Sequence, residues 1–399
     1  MSKHILYLTL SEINLSESGT YSDILNELCK KGHHITIVQA DHKGHIDQTC
    51  LINENGIRFL KVLVGELFRV NFIKKGINTL KIEPMFRQAI SKYLGAETFD
   101  LVLYATPPVT FSGVVKKCKQ KFGCSSYLML KDIFPQNAVD IGLFRKGSLL
   151  HRFFLGKEKT LYQVSDTIGC MSEENRRYIL EHNPYIDPTK VEIFPNTVKV
   201  QPLAHEAEST WKEQKLLVPK EKVVFVFGGN LGKPQGIDFL INAIKAMEQY
   251  DKAYFLIVGN GSEAEKVKEH VKDLQNARYL SQLPVKEYDQ LMLSCDVGIL
   301  SLDIRFTIPN YPSRALAYMA LAKPILACTD RVTDIRNLVE QQAECGLWCA
   351  SDDVAQFCEN VKQLCQDEQL RHQYGMNGRR YLEQNFDVKR SVELIENRM

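Results

Sequence analysis

Five segments hold residue types and spacings that can do chemistry. The segment 227–238, FGGNLGKPQGID, follows an apolar run and precedes a helix-like pattern. Glycine lets backbone N–H groups approach a phosphate, and the opening of a helix adds positive potential. Gly229, Asn230 and Gly232 frame this turn, and Lys233 supplies a point charge able to reach a diphosphate. The same residues also suit a plain strand–helix turn that needs glycine for steric reasons only. Segment 258–265, VGNGSEAE, repeats the plan: Gly259 and Gly261 bracket a tight turn, and Ser262 can cap the helix behind it. Alone, such a turn is more often structural.

In the third segment, 305–326, Pro312 and Ser313 suit the start of a helix whose unpaired N–H groups would face an anion. Arg305 and Arg314 add charge there; the competing reading is an amphipathic core helix with surface arginines. In the fourth, 128–136 (LMLKDIFPQ), Asp132 follows an apolar strand pattern and precedes a Pro-containing turn. A carboxylate at a strand's carboxyl end sits where ligands bind in open α/β sheets, and it can take a proton from a hydroxyl. It can equally cap a helix or sit in a salt bridge. The fifth, 57–93, holds eight Lys/Arg against Glu66 and Glu83, with Leu67, Phe68, Val70, Phe72 and Ile73 interleaved. Such a stretch can hold a protein on an anionic bilayer, or be a solvated face over buried apolar residues.

These segments need elements to position them. Short apolar runs expected as strands fall at 4–10, 34–40, 58–64, 101–105, 125–130, 166–170 and 191–194, with helical patterns such as 21–31 and 109–121 between. The polar stretch 197–221 breaks the rhythm and reads as a linker. The rhythm then restarts with strands expected at 222–227, 253–258, 297–300 and 324–327. Strand–helix alternation implies parallel sheets covered on both faces. The chain therefore reads as an α/β protein of two doubly wound, Rossmann-like domains with an inter-domain cleft. The domains are 1–196 and 222–375, and helices at 376–399 cross back to the first.

Composition narrows the class. At 399 residues, 44% hydrophobic and 25% charged, the chain suits two globular domains. Net charge is only +2, but residues 1–195 carry 25 Lys/Arg against 20 Asp/Glu, while the remainder carries 25 against 28. The eleven cysteines are scattered without a C-x-x-C pair, which fits a reduced cytoplasmic protein rather than a zinc site. The N-terminus lacks the long apolar region of a signal peptide, and no apolar stretch reaches membrane-spanning length, so membrane contact is expected to be peripheral. No D-x-D, P-loop or G-x-S-x-G occurs, and the first turn lacks G-x-G-x-x-G.

Together, residues 19–38, Pro195-Asn196, 229–236, 258–263, 283–296, 310–324 and 378–390 resemble, in order and spacing, the family 4 glycosyltransferases of the GT-B fold. The nearest likeness is to a WbuB-like subgroup of bacterial O-antigen and capsule biosynthesis. The resemblance implies a retaining, metal-independent transferase with no cofactor. It would move a sugar from an NDP-sugar, most plausibly UDP-linked, to a glycan or undecaprenyl-diphosphate-linked sugar at the inner face of the cytoplasmic membrane, with no nucleic acid involved. It further implies an acceptor-binding first domain, with Gly19 and Asp132, and a donor-binding second domain. Donor contacts would fall to Asn196, Gly229, Asn230, Gly232, Lys233, Gly259, Gly261, Leu283, Arg305, Pro312, Ser313 and Arg314. Two departures stand out. The family's E-x7-E positions read Pro309 and Ala317, and the Arg and Lys of its phosphate turn read Asn230 and Gln235. Lys233 is then the natural substitute, helped by Arg305 or Arg314. A sugar-nucleotide epimerase and a noncatalytic sugar-nucleotide-binding protein remain as alternatives.

Overall fold

The structure, a computed structural model, describes residues 2–41, 44–64, 72–203 and 218–399, with side chains of 72–80 excepted. The chain forms two units: residues 1–199 with 388–399, and residues 200–387.

The first unit holds β1 (His4–Thr9), α1 (Thr20–Lys30), β2 (His34–Asp41), β3 (Cys50–Glu54), β4 (Ile57–Leu63), α2 (Phe72–Tyr93), β5 (Leu101–Ala105) and α3 (Ser112–Phe122). It continues with β6 (Ser125–Leu130), α4 (Gln136–Asp140), α5 (Leu149–Val164), β7 (Thr167–Cys170), α6 (Glu173–His182) and β8 (Val191–Ile193). Its sheet order is β3-β4-β2-β1-β5-β6-β7-β8, parallel except for β3 against β4. The second unit holds β9 (Val223–Gly228), α7 (Ile237–Ala246), β10 (Ala253–Val258), α8 (Ala264–Val271), β11 (Ala277–Leu280), α9 (Val285–Ser294) and β12 (Val297–Ser301). After these come α10 (Arg314–Ala320), β13 (Ile325–Thr329), α11 (Ile335–Asn337), β14 (Gly346–Ala350), α12 (Val354–Gln366) and α13 (Glu368–Asn385). Its six strands, order β11-β10-β9-β12-β13-β14, are all parallel.

Near-continuous apolar strands form both sheet centres because helices cover both faces: β5 and β9 are buried along their whole length. The final helix, α14 (Val388–Glu396), packs Val388, Val392 and Ile395 into the same core as Ile24, Leu25 and Leu28 of α1. Its Glu396 takes Lys31 Nζ at 2.5 Å and His33 Nε2 at 3.0 Å. The return to the first unit starts at Val388 and not at residue 376, because α13 packs on α10 and stays with the second unit. The expected linker 197–221 lies largely outside the described residues.

Strand order reverses between β1 and β5 in one sheet, and between β9 and β12 in the other. At such a switch point the loops leaving the carboxyl ends of neighbouring strands diverge and leave a crevice. Segments 227–238 and 305–326 leave the second sheet at its switch point, after β9 and β12, while 258–265 follows the neighbouring β10 and 128–136 follows β6, next to β5 in the first sheet.

Candidate functional site

In the second unit, three segments meet at the carboxyl ends of β9 and β12. The turn after β9 is a single turn of 3-10 helix at Lys233–Gln235 between Gly232 and Gly236. Gly236 takes φ +58°, and a Cβ there would sit 2.8 Å from the Leu302 carbonyl. Asp303 N donates to Pro234 O at 3.0 Å, which fastens the loop after β12 onto this turn. From the other side, Gly229 N donates to Val258 O and Leu231 N to Asn260 O, both at 2.8 Å.

That packing explains Gly259 and Gly261. A Cβ on Gly259 would lie 1.8 Å from Gly229 O, and one on Gly261 2.2 Å from Leu231 O, with φ at +144° and +158°. These glycines let two turns touch backbone to backbone. It also divides the amides of the turn: those of Gly229 and Leu231 are engaged internally, while those of Asn230 and Gly232 carry no partner among the described residues. Lys233 is exposed, with no ion pair among the described residues.

Arg314 comes to this turn from α10. Its guanidinium lies over the Phe227 ring at 4.2 Å, donates to Gln235 Oε1 at 3.2 Å, and stands 2.7 Å from where a Gly229 Cβ would be. Burial pulls its pKa below the ordinary arginine value, though it stays charged. The anchor is Tyr318, one helical turn on, whose hydroxyl shares its one proton between Ile299 O at 2.9 Å and Val226 O at 3.1 Å. Gly298 admits that ring: a Cβ there would meet Tyr318 Cγ at 2.3 Å. Tyr288 of α9 brings its hydroxyl within 2.1 Å of a Cβ built on Gly228, close enough for the Arg314 charge to act on it. Two segments remote in sequence thus converge on one cationic spot.

Other expected residues fare differently. Ser313 stands at the start of α10, after Pro312, but makes no side-chain cap, and seven residues give the helix little dipole; charge here comes from Arg314. Arg305 forms a two-pronged pair with Asp303, both contacts at 2.8 Å, which largely neutralises it. Leu283 is half-buried in the loop after β11, beside Gln282, whose Oε1 accepts from Asn260 Nδ2 at 3.4 Å. Gly19, Asn196 and Asp132 belong to the first unit. Asn196 is buried, its Nδ2 3.5 Å from Met171 Sδ. Gly19 is exposed in extended backbone at the start of α1, its carbonyl accepting from Asp23 N at 2.9 Å.

Asp132 lies just past β6, beside the switch point. Thr106 Oγ1 accepts from Lys131 N at 3.0 Å and Asp132 N at 3.1 Å, and donates to Asp132 O, which fixes the backbone there. The Asp132 carboxyl has no ion pair or side-chain hydrogen bond among the described residues. Burial raises its pKa from 3.8 to about 6, and its charge acts on Tyr21 of α1, whose hydroxyl is pushed up mainly by burial. A cap or salt bridge is not what this side chain does; a half-buried, proton-hungry carboxylate is. Next to it, Lys131 Nζ is buried without a hydrogen-bond partner, 4.9 Å over the Phe194 ring, and burial lowers its pKa to about 7. Tyr21, Thr106, Lys131, Tyr288 and Tyr318 were not singled out in the sequence. Gly298, a glycine inside a strand and not singled out either, is the sequence signal that could have pointed to the close approach of Tyr318.

Among the described residues, no three His, Cys, Asp or Glu side chains gather as a metal site, and no helix is long and apolar enough to cross a membrane. The eleven cysteines are all free thiols.

Residues 209–381 match the family profile described as glycosyl transferases group 1. A probable glycosyltransferase WbjE from Pseudomonas aeruginosa is 26% identical over 279 residues, 67% of this chain and 66% of that protein. A putative colanic acid biosynthesis glycosyl transferase WcaI from Escherichia coli is 19% identical over 295 residues, 72% of this chain and 70% of that protein. The chain thus spans about two thirds of the length of these relatives. The structure of Anabaena HepE in complex with UDP-glucose superposes with a TM-score of 0.70 at 15% identity, covering 99% of this chain and 98% of that one. At that identity the likeness shows the fold, GT-B, with its two Rossmann-like sheets.

Proposed function

We propose, from the premise that residues 209–381 carry a glycosyl transferases group 1 segment, that the chain moves a sugar from a UDP-linked donor to a bacterial surface-glycan acceptor. The acceptor is a glycan or an undecaprenyl-diphosphate-linked sugar at the inner face of the cytoplasmic membrane. The observation that carries this reading is the Arg314 guanidinium set over the Phe227 ring against Gly229, beside the amides of Asn230 and Gly232 and the Lys233 ammonium, which have no partner among the described residues. Two amides and two cations suit a pyrophosphate, and the UDP-glucose in HepE supports a uridine donor.

Cleavage of the anomeric bond builds negative charge on the leaving diphosphate. Arg314, Lys233 and the two amides stabilise it where it develops. Asp132, with its pKa near 6, takes the proton of the attacking hydroxyl as base, and for retention that hydroxyl adds to the anomeric carbon on the face from which the diphosphate departs. The family likeness supports retention of anomeric configuration, independence of metal and a WbuB-like role in O-antigen or capsule assembly; the colanic acid relative is consistent with that last point. Incubation with a panel of UDP-sugars, with and without a lipid extract as acceptor, tests the reading. UDP is expected to appear only when acceptor is present. Interconversion of the sugar nucleotide without acceptor would make the chain an epimerase, and UDP binding without turnover against any extract would make it a binding protein.

A further inference from the structure

In the described part of the basic stretch 57–93, Arg58 is paired with Glu97, Lys61 with Glu54 and Arg87 with Glu83, while Lys81 and Lys92 are exposed without an ion pair among the described residues. The side chains of Leu67, Phe68, Arg69, Val70, Phe72, Ile73, Lys74 and Lys75 lie outside the described residues. Another surface of the same unit, wholly described, gathers exposed apolar residues. Of the ten large hydrophobic residues exposed on the described chain, five fall within 143–155: Leu143 (57% exposed), Leu149 (86%), Leu150, Phe153 and Leu155.

We propose that the loop 142–148 and the first two turns of α5 form a docking surface for an anionic lipid bilayer. Helix chemistry makes the composition informative. The first turn of a helix favours Asp and Glu, yet that of α5 has no acid and opens with Leu149 and Leu150 behind the Ser148 cap. Phe153 follows Leu149 by four residues, so the two share a face. In the same region Phe134, Phe144 and Phe154, all half-buried, pack ring on ring at 4.9–5.7 Å, and Phe153 packs edge-on against Phe154. No Asp or Glu occurs between Asp140 and Glu158. Arg145, Lys146 and Arg152 are exposed and make no ion pair among the described residues. Apolar side chains ringed by unpaired cations match acyl chains below phosphate headgroups. That charge complement decides for lipid over a neutral protein partner or a second copy of this chain. An exposed apolar patch of this size on a protein that meets only water would be an aggregation hazard.

The surface refines the membrane-side acceptor proposed above, but its test reads binding alone, so either can fail without the other. The full chain is sedimented with acceptor-free vesicles of phosphatidylcholine, or of phosphatidylcholine with phosphatidylglycerol. Binding is expected to the anionic vesicles, to weaken at high salt, and to fall about a hundredfold when Arg145, Lys146 and Arg152 are all changed to Glu. Leu149→Glu, at the most exposed of these residues (86%), is expected to weaken binding strongly at an unchanged melting temperature, and Leu149→Glu with Phe153→Glu to abolish it with a retained cooperative melting transition, lowered by the lost contact of Phe153 on Phe154. Three results would overturn the proposal: no binding by the parent, equal binding by parent and variants, or a self-associated species that Leu149→Glu with Phe153→Glu dissolves.

Discussion

Asp132→Asn separates what the carboxyl does for the fold from what it does in the reaction. Burial moves its pKa from 3.8 to about 6. A raised carboxyl pKa means that the folded state holds the proton more tightly than the unfolded chain. Stability therefore falls as pH rises through the window from about 4 to about 6, and levels off above it. Two pH units correspond to a ceiling of about 3 kcal/mol at about 1.4 kcal/mol each, which partial solvent access reduces to about 2 kcal/mol. An Asn side chain has no charge to desolvate. The variant should thus be more stable than its parent by about 2 kcal/mol at pH 8, and by well under about 1 kcal/mol at pH 4. Urea unfolding of parent and variant at the two pH values measures this. In turnover the sign reverses: the variant should lose on the order of a hundredfold or more in kcat, and the parent's kcat/KM should decline below about pH 6. A variant no more stable than its parent at pH 8, or one with the same increment at both pH values, would refute the reasoning.

Two further outcomes follow from the turn after β9. Lys233→Ala should lower kcat by about a hundredfold, the loss of roughly 3 kcal/mol typical of one leaving-group donor, with an unchanged melting temperature because the side chain is exposed and unpaired. Gly259→Ala should destabilise the second unit by on the order of 3 kcal/mol or more in thermal unfolding, because its Cβ would lie 1.8 Å from Gly229 O at φ +144°.

The doubly wound plan was legible because central parallel strands are apolar on both faces, so runs such as 101–105, 125–130 and 253–258 stand out with their bounds intact. The strands not foreseen, β3, β11 and β14, are all sheet edges; β3 (CLINE) and β11 (ARYL) lose apolar continuity where one side meets water, whereas β14 (GLWCA) is apolar but short and opens on a glycine. The site shows the same division. Glycine turns and Asp132 announce themselves by composition and by place after a strand. Their roles do not: Gly259 and Gly261 serve packing, and Arg305 is claimed by Asp303, because contacts across a fold set what a side chain has left to offer a ligand. Arg314 depends on Tyr318 and Gly298 to reach the turn, a relation that only the packed sheet and helix display.

Calorimetric titration of the chain and of Arg314→Ala with UDP and with uridine weighs the pyrophosphate assignment most directly. UDP should bind the parent about a hundredfold or more tighter than uridine, and Arg314→Ala should remove most of that difference while leaving the affinity for uridine in place. Equal affinity of the parent for UDP and uridine, or a UDP preference untouched by the substitution, would contradict a diphosphate held by Arg314 and the turn after β9.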